Sequence, residues 1–219
     1  MMADRKIKII ACKTVMDEIE ALKPPGIWSE YVDYAMHRHP DKLRQELQRR
    51  IDNETEAAVL VFGYGLCSNG LAGLHARDKT LVIPRVHDCI SLLLGSRQEY
   101  DRQFEEQPGT YYLSKGWIDQ KGDPYKEYLT YVEKYGEETA QWVMEEQYRH
   151  YQRLVFIETG LSDLSAYKEY AALVADFLKA KFAVVKGEKN FFAQLVNGNW
   201  QENFLIITPG NMVRYQDFR

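Results

Sequence analysis

Arg85, His87, Asp88 and Cys89 place four polar or reactive side chains in five positions of residues 81–96, Leu-Val-Ile-Pro-Arg-Val-His-Asp-Cys-Ile-Ser-Leu-Leu-Leu-Gly-Ser. The stretch begins as a short apolar run, the mark of a buried strand, and ends apolar enough to open a helix. Such groups beside a core strand are costly unless something there uses them. His87 and Cys89 form a His-x-Cys pair, a spacing that lets an imidazole and a thiolate reach one metal ion from a single loop. Arg85, after Pro84 at a strand end, suits a clamp on a substrate carboxylate, or an internal ion pair with Asp88 or Glu158.

The other two cysteines have matching positions. Cys12 ends the apolar run 6–11, Cys67 follows the run 57–63 by one turn, and Cys89 follows the run 80–84. In open parallel sheets ligands bind outside the carboxyl ends of the strands. Neighbouring strands lie about 4.8 Å apart, so loops leaving adjacent strands can meet at one point. A thiolate-rich set with one imidazole suits zinc, or a [4Fe-4S] cluster with one iron left open. Taken singly, Cys12 reads as well as a packed core cysteine, and no CxxC pair strengthens the metal reading. Glu158 ends a fourth apolar run as Cys12 ends the first, and it and His87 are the candidate acid–base groups or further ligands.

Tyr64-Gly65-Leu66-Cys67-Ser68-Asn69-Gly70 has a second possible use. Its glycines permit positive φ, and Ser68 or Asn69 suits a helix cap, so Tyr64, Gly65, Asn69 and Gly70 form a candidate anion site. A tight strand-to-helix turn explains the same residues. The segment is neither a Walker loop nor a dinucleotide fingerprint. His37 and His39, before Pro40, read as solvated loop residues. Tyr111, Tyr112 and Trp117 suit a lid over a cleft, or aromatic packing between halves.

The elements that must carry these residues alternate. Strands are expected at 6–11, 57–63, 80–84, 154–157, 182–185 and 204–208, and helices at 14–22, 41–53, 125–135, 137–151 and 165–181. Residues 27–39 read as irregular and aromatic, 71–75 as a short helical stretch, and 98–122 as weakly patterned loops. This alternation predicts an α/β fold with mostly parallel strands and flanking helices. Two similar halves around a cleft, with a tyrosine-rich helical insert between them, fit the pattern; so does one sheet with an insert. The halves would be an N-terminal α/β unit over 1–97 carrying the Cys/His site, an insert over 98–152, and a C-terminal α/β unit over 153–219.

The chain of 219 residues is long enough to bury a substantial core. Its net charge of -4, with both signs interspersed, argues against a nucleic-acid partner. No apolar run reaches membrane-spanning length and residues 1–8 carry no leader pattern, so a cytoplasmic location is expected. Three cysteines at wide spacing make a poor disulfide framework and fit a reducing compartment.

Tyr64-Gly65-Leu66-Cys67-x-Asn69-Gly70 and Pro84-Arg85-x-His87-Asp88-Cys89-Ile90-x-Leu92-Leu93-Leu94-Gly95-Ser96 resemble a large uncharacterised domain-of-unknown-function family of bacteria and archaea (DUF1638-like). So do Pro108-Gly109-Thr110-Tyr111-Tyr112 and Gly116-Trp117. Members of that family often lie beside corrinoid-dependent methyltransferases. The resemblance therefore implies a role in one-carbon metabolism, with a corrinoid protein or methyltransferase as partner, but no mechanism. The His-x-Cys pair also resembles the zinc motif of thiol methyltransferases, whose remaining cysteine lies downstream of the pair, whereas Cys12 and Cys67 lie upstream here. The expectation is a metal-dependent methyl or alkyl transferase, or a lyase, acting on a small molecule. A metal-free accessory protein holding an anionic metabolite on Arg85 and the 64–70 turn is the rival from another class. A homodimer is compatible with either.

Overall fold

A computed structural model describes residues 6–218. Positions 1–5, most of the stretch read for a leader, and position 219 lie outside the described residues. The architecture is α/β, with two separate sheets flanked by helices. The first sheet contains β1 (Ile7–Cys12), β2 (Trp28–Val32), β3 (Val59–Gly63), β4 (Thr80–Pro84) and, far along the chain, Phe204–Ile207. Its order is β2-β1-β3-β4 with the late strand outermost; the first four run parallel and the last runs antiparallel to β4. The three strands that end toward cysteines are thus direct neighbours at the centre of the sheet. Val59, Leu60, Val61 and Phe62 are all buried, as a strand covered on both faces requires.

The second sheet is parallel throughout. It orders β5 (Thr110–Leu113), β6 (Arg153–Glu158) and β7 (Lys181–Lys186). Alternation along β6 divides its side chains between two cores. Val155 and Ile157 join the large cluster built on the first sheet, while Leu154 and Phe156 pack with Ala171 and Val174. Those two alanine and valine residues belong to Ser165–Phe177, the helix that joins β6 to β7.

The helices follow from their apolar spacing and caps. α1 (Met16–Leu22) continues a 3-10 turn after β1, and α2 (Pro40–Asn53) buries Leu43, Leu47 and Ile51 behind an opening proline. α3 (Cys89–Leu94) begins at Asp88, whose Oδ1 accepts from the Ile90 and Ser91 amides at 3.0 and 3.3 Å. α4 (Arg97–Glu106) precedes β5, and α5 (Lys115–Asp119) follows it with Ser114 as cap. Among the described residues no helix is long and apolar enough to cross a membrane.

Several expectations change. The segment 27–39 contains β2, a partly exposed edge strand whose polar composition hid it. Residues 71–75 are turns, because their backbone pairs with the chain's end: Gly73 N donates to Val213 O and Val213 N to Leu74 O, both at 2.9 Å. The weakly patterned 98–122 segment holds α4, β5 and α5. The sheets draw strands from across the expected segments 1–97, 98–152 and 153–219. β5, from the middle segment, belongs to the second sheet, and the sixth expected strand becomes β8 (Phe204–Ile207) of the first.

Candidate functional site

β1, β3 and β4 release the chain at the same edge of the first sheet, and the three cysteines collect there. All three are free thiols and buried. Cys12 is the last residue of β1. Cys67 is fixed through its backbone: Leu66 N donates to Val86 O at 2.9 Å and Cys67 N to His87 O at 2.8 Å. The loop after β3 is thereby laced to the loop after β4. Gly65 permits this approach, since a Cβ there would lie 2.7 Å from Asp88 N and 2.8 Å from Val86 O. Cys67, Ser68 and Asn69 then adopt φ of 46, 53 and 69° in succession. Three consecutive non-glycine residues in the left-handed region are strained, and the surrounding contacts must hold them there.

The thiols lie within one another's electrostatic reach. Burial pushes all three above the ordinary thiol range. A charge on Cys12 raises Cys67 further, and charges on Cys67 and Cys12 raise Cys89. Thr14 Oγ1 donates to Cys12 Sγ at 3.1 Å. The phenol of Tyr64, fully buried, feels all three sulfurs.

His37 enters this site from the 3-10 turn Tyr34–Arg38. Its Nδ1 lies 3.2 Å from Tyr34 O and 3.8 Å from Cys12 Sγ. Donation of Nδ1–H to the carbonyl leaves the lone pair on Nε2, and burial lowers the imidazole pKa, so the ring is held neutral. Its ring lies 6.0 Å from that of Tyr64 and 6.3 Å from that of Trp117. Trp117, on α5, lies beside Cys89. His37 Nε2 and Tyr64 Oη are both buried without a hydrogen-bond partner, while the Trp117 indole N–H is directed to Cys89. Two orphaned polar atoms beside three buried thiols cost free energy that a bound group would recover.

Two clefts border this region, and both are lined by Tyr111 and Trp117. One, of about 300 Å³, runs past Asp88 and Tyr112; the other, of about 500 Å³, runs past Tyr34 and His37. The aromatic segment read as a lid therefore forms the partition between them.

The structure brings Cys12, Cys67, Cys89 and Tyr64 together and leaves other candidates outside. His87 and Arg85 are exposed, and Arg85 N donates to Asn203 O at 2.8 Å. Glu158 stands at the end of β6 and pairs with Lys168 at 3.5 Å. Asn69 is exposed, and Gly70 is packed toward Leu43, with its amide on Cys67 O at 2.9 Å. His39 is exposed as read, but His37 is not a solvated loop residue. Neither spacing nor periodicity ties His37 to the cysteines; only the aromatic residues around it hinted at burial. Among the described residues no three His, Cys, Asp or Glu side chains already converge on one ion position.

No curated protein and no solved structure matches the chain. A family model described as a protein of unknown function (DUF1638) matches residues 31–196, a span that includes Cys67, Cys89, His37, Tyr64 and Trp117. The chain belongs to that family.

Proposed function

We propose that Cys12, Cys67 and Cys89 hold a thiophilic metal, zinc in the first instance, and that the protein activates a small substrate for alkyl transfer in one-carbon metabolism. The observation that carries this reading is the placement of three buried free thiols at or just after the ends of neighbouring parallel strands, beside two unpartnered buried polar atoms, His37 Nε2 and Tyr64 Oη. The donor set suits such a metal: sulfur ligands with one neutral imidazole. The imidazole is His37 rather than His87, because His37 has the hydrogen-bonding pattern of a metal-binding histidine. One ring nitrogen is committed to a backbone carbonyl and the other is free.

Bound zinc would lower the pKa of a coordinated thiol, amine or carboxylate substrate. On this reading an alkyl carbon passes from a corrinoid protein or methyltransferase to the substrate's sulfur or nitrogen, and the donor keeps the electron pair of the broken bond. The chain's own groups bind and exclude. Tyr64 offers a hydrogen bond to the reacting group, and the Tyr111–Trp117 partition limits water. Three free thiols fit a reducing compartment, the cytoplasm.

A second reading rests on the count of cysteines. Three ligands with one position open also suit a [4Fe-4S] cluster that binds substrate oxygen. Metal analysis of protein purified without oxygen tests both. About one equivalent of zinc, lost in Cys67→Ser and reduced in His37→Ala, supports the first. A brown protein carrying iron and sulfide supports the second. Three freely titrating thiols with no stoichiometric metal overturn the metal centre and leave the accessory, metal-free reading.

A further inference from the structure

The smaller cleft has a composition of its own. Asp88, Tyr100, Phe104, Tyr112, Trp117 and Tyr151 line it, and among its described lining residues there is no Lys, Arg or His. Tyr100 stacks on Phe104 at 6.4 Å between ring centroids and lies 6.4 Å from Tyr112. Phe104 keeps 54% of its surface exposed, so packing does not account for its place at the rim. We propose that this cleft binds a small organic cation, a methylated ammonium group, against the ring faces and the Asp88 carboxylate.

The physical case has three parts. Ring faces carry negative quadrupole potential and attract cations, most strongly where water is excluded. The charges that reach Tyr100, those of Asp88 and Asp101, are negative. Arg153 and Arg102 reach Tyr112, but each is engaged elsewhere: Arg153 with Gln103 Oε1 at 3.0 Å, Arg102 with Glu99 and Glu106. Next, six of the eleven residues around the cleft are aromatic, and rings pack well against the methyl groups of an alkylated nitrogen. Such a lining suits an alkylated nitrogen better than a primary ammonium, whose N–H groups need acceptors. Last, Tyr112 Oη is buried and unpartnered in this lining, so an occupant that also brings a polar group is favoured over a purely hydrocarbon one. The volume of about 300 Å³ suits a molecule of a few heavy atoms.

This goes beyond the reading above: an ammonium nitrogen has no lone pair with which to accept an alkyl group, so the occupant of this cleft is a second ligand rather than that acceptor, and its binding does not rest on the metal centre. Trp117 borders both the cleft and Cys89. Calorimetric titration with choline and with its uncharged carbon isostere, 3,3-dimethyl-1-butanol, tests the binding itself. Choline should bind, and the isostere about tenfold or more weakly. Tyr100→Leu, which keeps apolar volume but removes the ring, should weaken choline about fivefold or more. Asp88→Asn should do the same, since asparagine keeps the helix cap and removes only the charge. Equal binding of choline and its isostere, no choline binding at millimolar concentration, or unchanged binding in both variants overturns the proposal. Metal content measured on the same samples separates the two failures: choline binding without metal sinks the metal centre alone, and metal without choline binding sinks the cleft assignment alone.

Discussion

Each of the three thiols is neutral in the isolated protein because burial and its neighbours disfavour the thiolate. Metal binding must therefore displace protons. A ligand that binds only the deprotonated form gains affinity as pH rises, by up to about tenfold per pH unit for each thiol that loses its proton. Zinc titrations between pH 6.5 and 8 should show apparent affinity rising steeply with pH, with proton release detected by buffers of different ionisation enthalpy. A pH-independent affinity would mean that the thiols are not the ligands. At this scale the sequence was informative where a residue sat at the end of an apolar strand, as Cys12 does, or in a glycine-bounded loop, as Cys67 does. It was silent on His37, which lies in a segment without periodicity and reaches Cys12 only through the tertiary fold. His87, read as a ligand, is exposed with its carbonyl holding Cys67, and Asp88 Oδ1 caps α3.

Among the elements, the loop after β3 and the loop after β4 act as one unit. Gly65 is the point of closest approach, and Gly116 plays the same part where α5 meets the turn after β1, with Thr14 O only 2.0 Å from where a Cβ would stand. Gly65→Ala would push the two loops apart against backbone atoms that cannot rotate away. The expected cost is about 1–3 kcal/mol, from overpacking, and the Cys67 and Cys89 thiols should react faster with a disulfide reagent in the native state. A thermal melt with parallel thiol titration checks both; unchanged stability and unchanged thiol reactivity would show that the loops are not coupled. Ser68→Gly should act in the opposite sense, raising stability by about 1 kcal/mol by relieving a left-handed serine. The central strands were legible because they are short and wholly apolar. β2 and β8 were not placed correctly, for different reasons. β2 is a partly exposed, polar edge strand. β8 reads as a strand, but nothing local says that it returns antiparallel to β4 rather than joining the second sheet.

The molecule as a whole depends on how the second sheet is fastened over the site, and one buried contact does this near the core. Glu18 of α1 is only 3% exposed, and its Oε1 accepts from Thr159 Oγ1, just past β6, at 2.8 Å. The neighbouring Lys115–Asp17 pair also links α5 to α1, but it is partly solvated and contributes little by comparison. Burial raises the Glu18 carboxyl pKa above its ordinary value; the Thr159 hydrogen bond opposes that shift without cancelling it, and Oε2 has no partner. The folded chain thus holds the proton more tightly than the unfolded chain. Glu18 contributes stability that is fully present below its unfolded pKa of about 4.3 and is lost as pH rises through the raised folded value. Glu18→Gln keeps a group that can bond Thr159 and removes the charge, so it should melt like the parent near pH 4. Above the raised carboxyl pKa it should melt higher, by about 1 kcal/mol or roughly 2–4 °C at this chain length. Thr159→Val removes the hydroxyl donor and should lower stability most above the raised carboxyl pKa, where an ionised Glu18 depends on that bond. Identical melting of parent and Glu18→Gln at every pH would mean that Glu18 is solvated in solution. The second sheet would then be held over the thiol pocket by the packing of Val155 and Ile157 against the first sheet's core rather than by this carboxyl.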